Sequence, residues 1–142
     1  MYHAIVCPLS STDPIPGKDR IVRAEAAGHV LVVSAERSAG DLGVLFPFEG
    51  VLDLGFARAA GLLERDPDTG AKLGGYLDDP PRIRALKFGG VRSEGIWLSI
   101  EDFCSAASAA IGAPVRSSEI EPGQRIDVLV RDGKTLRLCK KW

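Results

Sequence analysis

Apolar and polar positions alternate with a period of two in a series of short runs separated by turn residues, the signature of half-buried strands. Ala4 to Leu9 reads as a first strand, ended by the breaker-rich stretch Ser10 to Gly17. Ile21 to Ala26 alternates, Gly28 supplies a turn, and His29 to Val33 has the β-branched density of a central strand. Ser38 to Asp41 turns the chain into Leu42 to Phe46, which Pro47 closes. Short connections between these runs favour an antiparallel meander over a βαβ unit. From Asp53 the spacing becomes helical: Leu54, Phe56, Ala59, Ala60, Leu62 and Leu63 share a face, Asp53 is placed as an N-cap, and Gly55 and Gly61 weaken the segment. Asp66 to Gly70 is a turn, and the polar run through Asp79-Pro80-Pro81 reads as an exposed loop. A basic strand pair, Arg82 to Phe88 and Val91 to Leu98, breaks at Gly89-Gly90. Ser99 begins a capping box for a helix over Ile100 to Ile111 that Gly112 stops. Ile126 to Val130 and Thr135 to Cys139 flank an Asp132-Gly133 hairpin turn. The pattern predicts a mainly β fold, a small antiparallel β-barrel with one or two short helices.

A chain of 142 residues with 45% hydrophobic content matches one domain, expected to span 1–142. The net charge of −1 speaks against a uniformly basic protein, but it hides a split. Residues 1–81 carry 7 Lys and Arg against 12 Asp and Glu, and residues 82–142 carry 11 against 7, giving −5 and +4. If the second part folds to one side, the molecule has a positive face. Cys7, Cys104 and Cys139 are odd in number and widely spaced, which suits a reducing compartment and gives no disulfide framework. His3 and His29 lie far apart, so no metal site is expected. The start has no basic leader before an apolar stretch, and no segment reaches membrane-spanning length. The expectation is a cytoplasmic protein without a membrane partner.

The segment from Arg82 to Leu98 carries the chemistry. Arg82, Arg84, Lys87 and Arg92 supply charge for phosphates, and Phe88 and Trp97 supply flat faces for bases. A solvated strand face is the competing reading for the cations, and core packing for the two aromatics. In a regular strand Arg82 and Arg84 face one way and Lys87 the other, so a common groove requires a bulge near Leu86. Among small barrels, the OB-fold is one whose open face holds nucleic acid.

Ile15-Pro16-Gly17-Lys18-Asp19-Arg20-Ile21, Gly40-Asp41-Leu42-Gly43-Val44-Leu45-Phe46-Pro47, Arg82 to Phe88 and Ser93-Glu94-Gly95 occur in an order that, with the basic-aromatic close Leu138 to Trp142, resembles the N-terminal OB-type domain of nick-sealing, ATP-dependent RNA ligases of the fifth family, especially phage-encoded versions. Three positions depart from that family: Gly89 stands where Arg is usual, Lys18 replaces a small residue, and His29 occupies a commonly aromatic position. The resemblance implies a non-catalytic module that engages nicked RNA or RNA/DNA duplex through Arg82, Arg84, Lys87, Arg92 and Phe88. It also implies that Lys18, Asp19, Arg20, Lys140 and Lys141 face a nucleotidyltransferase domain acting in cis or in trans. ATP and Mg belong to that domain, whose lysine sits in Lys-x-Asp-Gly. Here Lys72-Leu73-Gly74-Gly75 and Lys87-Phe88-Gly89-Gly90 have glycine at the acidic position, so no catalytic residue and no cofactor are expected in this chain. The chain is then a domain of a longer ligase or a stand-alone copy working with a separate catalytic domain. The alternative is an OB-type nucleic-acid or protein-interaction adaptor without ligase activity.

Overall fold

A computed structural model describes residues 2–142. In chain order the elements are β1 (Ile5–Pro8), β2 (Ser11–Ile15), β3 (Lys18–Ala26), β4 (His29–Ser34), β5 (Leu42–Pro47), β6 (Gly50–Leu52), α1 (Leu54–Ala59), β7 (Leu86–Phe88), β8 (Val91–Ser93), β9 (Gly95–Ser99), α2 (Ile100–Ile111), β10 (Val128–Arg131), β11 (Lys134–Arg137) and β12 (Cys139–Lys141). The fold is mainly β with two α-helices, as the alternation predicts; every strand ladder is antiparallel, the isolated Leu63–Leu77 bridge is parallel, and among the described residues the ladders form separate sheets that do not close into the expected barrel. Its ladders are β1-β5-β9, β2-β3-β4, β6-β12, β7-β8 and β10-β11.

β5 shows why Leu42 to Phe46 is continuously apolar: both its faces are covered. Val44 and Phe46 enter one buried cluster with Ile96 and Leu98 of β9, whereas Leu45 and Trp97 enter a second cluster with Cys7, Leu9, Leu31 and Val33. Phe46 meets Phe56 of α1 and Phe103 of α2 at ring-centroid distances of 5.6 and 6.3 Å, so both helices are seated on one face of the β1-β5-β9 sheet. Gly43 is required for space. A Cβ there would collide with the Trp97 ring and the Leu98 carbonyl.

The helix ends follow their caps. The Asp53 carboxylate accepts the Phe56 N–H at 2.9 Å, and the Ser99 hydroxyl accepts the Asp102 N–H at 3.2 Å. α2 stops at Gly112, whose φ of 75° suits a left-handed cap. α1 is shorter than its apolar spacing predicts, ending at Ala59 before Gly61, which has φ 73°.

Three other expectations change. Ser10 to Gly17 is not all turn: Ser11–Ile15 pairs with β3 as an edge strand, and Pro14 is accommodated beside a register shift at Pro14/Ile15. The connection from Leu62 to Ile83 is anchored, because Leu63, Leu77 and Ile83 are buried in the main core and Leu77 N–H donates to the Leu62 carbonyl at 2.8 Å. Finally, Arg82 to Phe88 is not one strand. Arg82 bridges to Val51, and only Leu86–Phe88 pairs with β8. Among the described residues no helix is long and apolar enough to cross a membrane.

Candidate nucleic-acid interface

The β7-β8 hairpin turns at Gly89 and Gly90, both with positive φ (58° and 84°), the conformation that a two-residue turn needs to match strand twist. Its register is Leu86 to Ser93, Lys87 to Arg92 and Phe88 to Val91. Directly opposed residues share a face. Lys87 and Arg92 are therefore side by side and exposed, while Phe88 lies on the other face with its ring edge-on to Tyr76 at 5.6 Å. Tyr76 is itself 39% exposed, so this ring pair sits at the surface and not in the core.

Arg82 reaches the same region by a separate route. It bridges to Val51, and Val51 pairs on its other side with Lys140 of β12. Arg82, Val51 and Lys140 thus form one row, Arg82 joining β6 and β12 through an isolated bridge, and project from the same side. The Arg82 guanidinium lies 4.8 Å from the centre of the Trp142 ring, and the Arg92 guanidinium 5.3 Å from that of Phe48. Both cation–π pairs flank the segment 48–51: Phe48 N–H donates to the Glu94 carbonyl, and Trp142 N–H donates to the Glu49 carbonyl. The sequence pattern does not mark Phe48, and it marks Trp142 only as part of the basic-aromatic close Leu138 to Trp142, with no role beside Arg82.

Acidic neighbours touch two of the cations. Arg84 pairs with Asp78 at 3.3 Å, and Arg92 sits 3.7 Å from Glu94. Both arginines are about half exposed, and exposed pairs contribute only about 0–1 kcal/mol, so a phosphate can displace the carboxylate at small cost. Glu94 is also committed elsewhere, since its other carboxylate oxygen accepts the Val30 N–H at 2.8 Å.

Lys18, Asp19 and Arg20 are exposed at the start of β3. Lys141 pairs with Gly50 and is exposed, as is Lys140. Trp97 is only 8% exposed, and its indole N–H donates to the Cys7 carbonyl at 3.2 Å, so it is a core residue and offers no base a surface. The thiols are not activated: burial raises Cys7 and Cys104 and pushes Cys139 up to about 12. Among the described residues no three His, Cys, Asp or Glu side chains gather as a metal-ligand set.

No family model and no curated protein matches the sequence. Solved structures do match the fold. A Naegleria gruberi RNA ligase mutant with AMP and Mn aligns over 87% of this chain and 32% of its own, with TM-score 0.58 and 22% identity. The Naegleria gruberi RNA ligase with PPi aligns over 87% and 36%, with TM-score 0.57 and 21% identity. A second mutant with AMP and Mn gives 84% and 33%, TM-score 0.55 and 20% identity. This chain spans about a third of the length of the ligase chains it matches, and its fold is related to that of an RNA ligase.

Proposed function

We propose that this chain is the OB-type, non-catalytic nucleic-acid-binding module of an ATP-dependent RNA ligase, holding a nicked RNA-containing duplex while a nucleotidyltransferase domain seals the 3′-OH and 5′-phosphate ends. The observation that carries the reading is the exposed arrangement of Arg82, Lys87, Arg92 and Lys140 with Phe48 and Trp142 along one short segment. Guanidinium and ammonium groups neutralise phosphates and release condensed counterions. An aromatic ring beside a cation adds a surface on which a base stacks, contributing about 1–3 kcal/mol.

The residues do not fit ATP chemistry. Glycine occupies the acidic position in both Lys-x-x-Gly strings, and the carboxylates nearest the cations, Asp78 and Glu94, are each engaged by arginine. ATP and Mg are therefore assigned to the partner domain, and Arg84 joins the phosphate contacts when it leaves Asp78. Lys140, Lys141, Asp19 and Arg20 are assigned to the junction with that domain, Lys140 at the margin of both surfaces.

The test is the affinity of the chain for nicked and intact RNA-containing duplexes across a salt series. At about −0.9 per neutralised phosphate, Arg82, Lys87 and Arg92 together account for about −2.7 of the slope of log affinity on log salt, and the triple variant Arg82→Ala, Lys87→Ala, Arg92→Ala removes that share. A slope near zero in the unmodified chain overturns the reading. Covalent adenylate on the isolated chain after incubation with labelled ATP and Mg overturns the assignment of chemistry to another domain.

A further inference from the structure

The lysine that opens β3 is not simply a solvated turn residue. Lys18 pairs with Ile15 across Pro16-Gly17, and its side chain crosses the tip of a different hairpin. A Cβ added to Gly89 would lie 3.1 Å from Lys18 Cγ, 3.2 Å from Lys18 Cε and 3.0 Å from Ile15 Cγ2. The methylene stem therefore rests on the bare backbone of Gly89, in space that any other residue would fill. The ammonium is one bond beyond Cε and is consequently held at the β7-β8 tip. Just behind that tip stand Lys87 and Arg92, opposite one another and exposed.

Two further facts give this placement a use. Among the described residues no carboxylate lies within ion-pair distance of Lys18 or Lys87, so neither charge is neutralised. A free lysine carries about 2 kcal/mol of rotamer entropy, part of which is lost whenever it grips a ligand. A stem already laid on Gly89 has given up some of that freedom before binding, which favours an ionic contact at this point.

We propose that Lys18 is a phosphodiester contact, part of the same surface as Lys87 and Arg92 and not of a surface for a catalytic domain. The β2-β3 turn and the β7-β8 tip then grip one stretch of sugar-phosphate backbone with three cations drawn from two hairpins. The assignment rests on the nucleic-acid-binding reading above.

Salt-dependent binding of the full chain to an RNA-containing duplex tests it. Lys18→Ala and Lys18→Met should each reduce the slope by about 0.9, a loss of roughly eight-fold in affinity at 0.1 M salt, and Lys18→Arg should restore both. Lys18→Met keeps the apolar stem, so its agreement with Lys18→Ala separates charge from packing. Gly89→Ala should displace the stem, and in that background Lys18→Ala should cost less. If Lys87→Ala and Arg92→Ala lower the slope while the Lys18 variants leave it unchanged, the Lys18 assignment is wrong and the binding reading stands. If the unmodified chain shows no salt-dependent binding, both fail.

Discussion

Gly50 is the point at which stability and the cationic surface meet, and replacing it with alanine has a calculable effect. A Cβ on Gly50 would fall inside the envelope of Tyr2 Cζ and Oη and 2.7 Å from Cε1. The ring must leave, and with it the hydrogen bond that Tyr2 donates to the Pro47 carbonyl at 2.6 Å. That bond contributes about 1 kcal/mol and the partly buried ring a further 1–2 kcal/mol, so Gly50→Ala should cost about 2–3 kcal/mol. Tyr2→Phe should cost only about 1 kcal/mol, and Tyr2→Ala about as much as Gly50→Ala. The decisive measurement is the double variant in urea unfolding, followed by fluorescence. Without the ring to strike, alanine at position 50 should be neutral or gain about 0.5–1 kcal/mol, because glycine is the poorer strand residue. Gly50 has no positive φ to protect, so space is its whole requirement. Should Gly50→Ala cost the same 2–3 kcal/mol in the Tyr2→Ala background, the steric argument fails.

Two further outcomes follow from buried groups. The Asp66 carboxylate accepts N–H bonds from Asp68 at 2.8 Å and Thr69 at 3.4 Å and pairs with Arg58 at 2.6 Å; these hold its pKa below the usual carboxylate value, the Asp68 N–H most strongly. Its stabilising contribution is complete above the unfolded pKa of about 3.9 and is lost as pH falls through the lower folded value. Asp66→Asn should therefore lower the melting temperature at pH 7 and narrow its fall between pH 4 and 2; melting curves identical to the parent at both ends would disprove this. For the thiols, iodoacetamide at pH 8 followed by peptide mass spectrometry should modify half-buried Cys104 first, more slowly than an unstructured cysteine, and reach Cys7 and Cys139 only on unfolding. Equal native rates for Cys139 and Cys104 would contradict the packing described.

What could be read in advance was local. Ser99 and Gly112 bracket α2 because a cap acts on its own helix, and Asp132-Gly133 sets the β10-β11 turn because two residues decide its twist. What escaped depended on distant partners. Gly50–Leu52 is too short to show a period, and it becomes a strand through Cys139–Lys141. Pro14 reads as a breaker until β3 supplies a ladder on one side only. At the candidate interface the cations Arg82, Lys87 and Arg92 were legible as residue types, but their grouping was not. Arg82 joins Lys140 through Val51, and Trp142 and Phe48 cover the guanidinium groups from other segments. The expected bulge near Leu86 is not there: the β7-β8 register is regular from Leu86 to Phe88, and Arg82 lies outside the hairpin, bridged to Val51 of β6.

The row Arg82, Val51, Lys140 has a consequence for how this surface can change over generations. Two interstrand steps set the separation of the outer backbones at roughly 10 Å. That interval is fixed by hydrogen-bond geometry, whatever the number of amino acids in between. Insertions at the exposed tip from Pro67 to Gly70, beyond the anchors Leu63 and Leu77, can thus accumulate without retuning the charge spacing, whereas a slip of one register at Val51 would scramble it at once.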